Sequence, residues 1–204
     1  MSMVRQILIP LTLCLSFGVS FGDAPKPHAA TGPLKGHPNL IAAETKLHAA
    51  AKSITKSQEA NECVFGVEGG HGQKAKEAIE AAEKQTWDAA QWVNEHDNDC
   101  KEWLKKNEKG GSKGEKPTLP EMKGHPNLKG HGNMIAAERD LIEAYKAIGR
   151  SQEANECVFG VEGGHGQKAK EAIDTAFKQV SEAATWVETH DKDCAEWGQK
   201  NKKK

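Results

Sequence analysis

The sequence lacks most of the short motifs that announce a chemistry. It contains no CxxCH pair for covalent haem, no GxGxxG turn and no phosphate-binding loop. Scattered histidines and aspartates do not compose a hydrolase triad. Charge of one sign is missing too: 28 basic side chains face 29 acidic ones, so no basic face recommends a nucleic-acid partner. Long apolar runs are absent apart from ILIPLTLCLSFGV at 7–19, whose 13 residues are too few to span a bilayer comfortably.

That run follows MSMVRQ and precedes Ser20-Phe21-Gly22. Together they predict a secretory signal peptide over 1–22, cleaved after Gly22, and a mature chain that is exported and has no membrane span. Cys14 leaves with the leader. Residues 23–34, rich in Pro, Ala and Gly, read as disordered.

What is present is a duplication. SQEANECVFGVEGGHGQKAKEAI fills 57–79 and recurs unchanged at 151–173. A shift of 94 residues aligns 35–109 with 129–203 without a gap, and 51 of the 75 positions match. The organisation expected is a first repeat over 35–109, a linker over 110–128, and a second repeat with a basic tail over 129–204. An additional KGHPNL at 123–128 reads as a small secondary duplication of the segment leading into the repeat.

Each repeat has helical periodicity. Ile41, Leu47, Ala50 and Ile54, and likewise Ile135, Leu141, Ala144 and Ile148, mark one face of a first helix. Asn39 and Asn133 stand where an N-cap is expected. The glycines of FGVEGGHG end that helix near Glu62 and Glu156. A second helix starts near Gln73 and Gln167. Its heptad seam runs through Ala75, Ala82, Ala89, His96 and Trp103, with Ile79, Thr86, Val93 and Cys100 beside them. In the second copy the seam is Ala169, Ala176, Ala183, His190 and Trp197 with Ile173, Val180, Val187 and Cys194. The fold expected is therefore all-α: two tandem helical hairpins that form a four-helix bundle or paired hairpins.

HPN at 37–39 and GGH with Lys74 and Ala75 at 69–75 give the first repeat a recognisable pattern. The second repeat has HGN at 131–133, then Gly163, Gly164, His165, Lys168 and Ala169. In these residues the chain resembles small exported bacterial helical-hairpin proteins. The resemblance implies the hairpin fold and export, and it brings no established activity with it.

Four cysteines remain after the leader: Cys63, Cys100, Cys157 and Cys194. In an oxidising compartment an even number predicts two disulfides. A continuous second helix keeps Cys63 and Cys100 of one repeat roughly 40 Å apart at 1.5 Å per residue, which disfavours pairing within a repeat. A two-fold axis along the bundle would pair Cys63 with Cys157 and Cys100 with Cys194. Hairpins set in the opposite sense would instead place Cys63 beside Cys194. The alternative chemistry is a zinc or copper site. In a bundle Cys63, His71, Cys157 and His165 can gather at one end, and His96, Cys100, His190 and Cys194, with His37 and His131, at the other. The function expected is an exported, non-enzymatic helical scaffold or binding module of the cell envelope, with a protein or envelope component as partner. The alternative is a periplasmic or secreted metal-binding protein.

Overall fold

The computed structural model describes residues 32–59, 70–95, 102, 122–125, 130–153 and 164–189. Four long helices dominate: α1 (Pro38–Glu59), α2 (His71–Glu95), α3 (Gly132–Glu153) and α4 (His165–Thr189), with a short 3-10 turn at Gly32–Leu34 ahead of α1. No strand occurs among the described residues, and no helix there is long and apolar enough to cross a membrane.

Local chemistry sets where the helices start. The His37 carbonyl accepts the Ile41 N–H at 3.0 Å, and the His131 carbonyl accepts those of Met134 and Ile135 at 3.0 and 3.3 Å. The N-caps are therefore His37 and His131, not the asparagines two positions on. Pro38 then occupies the first helical position, where its missing N–H costs nothing. The turn that delivers each histidine needs a left-handed residue, supplied by Gly36 (φ 96°) and Gly130 (φ 83°). Gly70 and Gly164 play the capping part for the second helices, their carbonyls accepting Lys74 N–H and Lys168 N–H at 3.2 and 3.0 Å.

Burial follows the heptad. Ala75, Ile79, Ala82, Thr86 and Ala89 are fully buried, as are Ala169, Ile173, Ala176, Val180 and Ala183. In the first helices Leu47, Ala50 and Ile54, and Leu141, Ala144 and Ile148, are equally enclosed. One expectation shifts by a residue: Leu40 and Met134 enter the core, while Ile41 and Ile135 are only partly covered. Leu40, Ala43, Leu47, Ala50 and Ile54 follow one another at spacings of three, four, three and four, so the stripe takes in Leu40 and leaves Ile41 at its edge.

The helices form a square. The broadest contacts join equivalent helices of the two repeats, α1 with α3 and α2 with α4. Narrower ones join α1 to α2 and α3 to α4, and the diagonal pairs stay apart. Direction follows from cross-links between the repeats. His71 at the start of α2 meets Gln179 late in α4, and His165 at the start of α4 meets Gln85 late in α2. Thus α2 and α4 run antiparallel. Asn94, near the end of α2, reaches Pro33 and His37 at the head of α1, so each hairpin is antiparallel as well and α1 opposes α3.

The two His–Gln contacts are images of each other with the repeats exchanged. A two-fold axis relates them, and it crosses the bundle at right angles to the helices. It passes between the equivalent residues Lys46 and Asp140 on one side and near Ala78 and Ala172 on the other. The two-fold axis therefore does not run along the bundle, as pairing of Cys63 with Cys157 would require, because α2 and α4 are antiparallel. α1 ends and α2 begins at one pole, whereas α3 ends and α4 begins at the other. The chain leaves α2 at one pole and begins α3 at the other.

Candidate functional site

Several polar side chains of the described residues meet across the contact between repeats. Nδ1 of His71 stands 3.0 Å from Oε1 of Gln179, with Glu182 Oε2 at 3.5 Å. Nδ1 of His165 stands 2.9 Å from Oε1 of Gln85. An amide oxygen only accepts, so Nδ1 is the protonated ring nitrogen in both. The two GGH motifs place their histidines at the first turn of a helix, and the first turn of α2 or α4 lies beside the opposite repeat. That is why this residue can act as a pin between repeats.

On the dyad, at the α1–α3 side of the bundle away from these pins, Lys46 Nζ lies 3.0 Å from Asp140 Oδ1. The aspartate side chain is only 7% exposed and the lysine 42%. Arg139 Nε stands at 3.9 Å from the same oxygen. Nearby, a hydrogen bond from Lys146 holds the Glu143 carboxyl below its ordinary range, with the charges of Arg150 and Lys46 adding to the effect.

Two carboxylates lie in the core at equivalent positions, Glu44 and Glu138. Glu138 is held by the residue ahead of its own repeat: His125 donates its backbone N–H to Oε2 at 2.6 Å and brings Nδ1 within 2.7 Å of Oε1. A Cβ on Gly124 would come 2.9 Å from Glu138 Oε2, so a side chain there would push the carboxylate aside. Glu44 neighbours Glu83 on α2. Burial, then the charge of Glu44, then that of Glu80 push the Glu83 carboxyl up to about 7. The second repeat has Phe177 at the position of Glu83. It also has Lys170, 3% exposed, whose ammonium sits 5.1 Å from the centre of the Tyr145 ring. Burial, then the charge of Asp174, raise the Tyr145 phenol above its ordinary value.

An open groove of about 480 Å³ runs along α4, lined by Asp174, Phe177, Lys178, Ser181, Glu182 and Thr185. Trp186 follows it and is 38% exposed.

Of the residues predicted from sequence as ligands, His71 and His165 are placed, and they are not brought together. Each is level with the glutamine of the other repeat, which separates them by roughly 21 Å at 1.5 Å per residue. The one-end cluster expected for this pair does not form. His37 and His131 cap α1 and α3 at opposite poles. Cys63, Cys100, Cys157, Cys194, His96 and His190 lie outside the described residues, and no group of three or more metal-ligating side chains occurs among the described ones. The sequence did not single out Lys46, Asp140, His125 or Glu138. A signal existed for two of them: the additional KGHPNL supplies His125, and IAAE puts a glutamate on the apolar face in both copies. Comparison with family models, curated proteins and solved structures finds no match to the chain.

Proposed function

We propose that the chain is an exported, non-enzymatic helical module that acts in the cell envelope as a scaffold or binding unit. The observation that carries this reading is the use of its polar side chains. The GGH histidines, which sequence offers as ligands, hydrogen-bond to glutamines of the other repeat. Each such bond stabilises by about 0.5–1.5 kcal/mol. They join two hairpins, neither of which buries much alone, into one bundle with outward faces available to a partner. The groove along α4 offers such a partner apolar and charged groups side by side. Export rests on the leader, with Arg5, the apolar run at 7–19 and Ser20-Phe21-Gly22.

Protein purified from the periplasm tests the reading by thiol titration and elemental analysis. No free thiol and no bound metal are expected. Free thiols accompanied by stoichiometric zinc or copper overturn it in favour of metal handling.

A further inference from the structure

We propose that the two hairpins are a heterotypic pair, each charged for the other and not for itself. The partner this interface accepts in trans is then the complementary hairpin of a second copy of the chain. A residue on a two-fold axis faces its own equivalent. If hairpin 1 paired with another hairpin 1, Lys46 would face Lys46. If hairpin 2 paired with another hairpin 2, Asp140 would face Asp140. Only the mixed pairing sets ammonium against carboxylate, and that is the contact present, at 3.0 Å.

Burial gives the choice its weight. Asp140 is 7% exposed, so a like pairing would enclose two carboxylates in contact, each having lost the lysine at 3.0 Å and keeping only the exposed Arg139 of its own hairpin, at 3.9 Å. A second asymmetry points the same way. Glu143 in hairpin 2 feels the charge of Lys46 in hairpin 1, whereas the position equivalent to Glu143 is Ala49. The His–Gln contacts, by contrast, occur twice with identical residues. They serve any of the three pairings equally and fix register. Partner choice is left to 46 and 140.

The connectivity admits exchange between chains. α2 ends at Glu95 at one pole and α3 begins at Gly132 at the other, with 36 residues of sequence between them; at about 3.3 Å per extended residue that length of chain can also reach the hairpin of a neighbouring copy. Swapping of equivalent elements in this way is a low-cost route to a dimer.

Charge reversal in the full chain, under reducing conditions, tests the proposal. Lys46→Asp and Asp140→Lys each create a like-charge pair at the dyad. Each should melt roughly 5–10 °C below the parent. The double variant K46D/D140K restores opposite charges and should recover most of that loss as a monomer. The stricter test mixes the two single variants after unfolding and refolds them together at high concentration. Hairpin 1 of each variant then matches hairpin 2 of the other. A dimer whose melting temperature approaches the parent's is expected, and neither variant alone should give it. Single variants as stable as the parent overturn the proposal. A double variant no better than the singles, or a mixture that stays monomeric, does so too. Should a single variant fail to fold, the double variant still decides, because recovery there requires the charge match.

Discussion

Glu83 is the residue whose protonation the fold alters most among those described. Its carboxyl is raised to about 7 from 4.5 by burial, and by Glu44 and Glu80. The folded state therefore holds this proton more tightly than the unfolded chain. The resulting stability is fully present below about pH 4.5 and is lost as pH rises through about 7. Because the side chain is partly exposed, the loss should be only about 1–2 kcal/mol after allowance for solvent screening. Glu83→Gln should remove this slope and raise stability at pH 8, as read by urea midpoints at pH 5 and pH 8. An unchanged slope would show that another group is responsible. The two His–Gln pins give a second prediction at this scale. His71→Ala and Gln179→Ala should each cost about 1 kcal/mol. A double-mutant cycle should find coupling between 71 and 179 and none between 71 and 85. Coupling of 71 with 85 would contradict the antiparallel setting of the repeats.

Among the elements, the two helix–helix contacts between repeats differ in kind. The α2 and α4 seams are dominated by alanine, with Ala75, Ala82, Ala169 and Ala176 fully buried. The first helices contribute larger groups, Leu40, Leu47, Met134 and Leu141. Enlargement should therefore hurt the second helices and truncation the first. Ala82→Leu is expected to cost about 1–3 kcal/mol through overpacking, and Leu47→Ala about 2–5 kcal/mol through the cavity it leaves. Chemical denaturation measures both; a neutral Ala82→Leu would mean that α2 and α4 have room between them. These buried stripes were legible in the sequence because a heptad reports which face of a helix is covered. The seam Ala75–Ile79–Ala82–Thr86–Ala89 was read correctly on that basis. The heptad does not report which way the covering helix runs. Both settings of the hairpins bury the same alanines, so the dyad across the bundle was illegible. So was the cross-repeat partner of His71, since a local motif such as GGH fixes where a side chain begins and not what lies opposite. The asparagine N-caps failed for a smaller reason: the positive φ at Gly36 and Gly130 turns the chain into the helix two residues earlier than the asparagine suggests.

For the whole molecule, one shared core implies that a chain truncated after Lys109 should be much less stable than the intact one and should lack its cooperative melt. A half that melts as high and as sharply as the whole would make the repeats independent. Cys63, Cys100, Cys157 and Cys194 lie outside the described residues; bridges between repeats, expected from sequence to stabilise by about 2–4 kcal/mol each, are open to a direct test. Proteolysis in the linker near Lys113 should leave the halves joined until a reductant is added, and peptide mapping identifies the partners. Halves that part without reductant would exclude both cross-repeat patterns.

The antiparallel setting has a mechanical side. A lone hairpin starts and finishes at the same pole, so tension on its two ends peels the helices apart one contact at a time. Here α1 starts at one pole and α4 finishes at the other. Tension applied between those points pulls along the helices and loads the contacts between repeats in shear, many of them together. The His–Gln pins and the dyad pair lie across that direction of slip. Duplication with reversal has turned two structures that unzip into one that resists stretching, and the direction of pull decides how much force it bears.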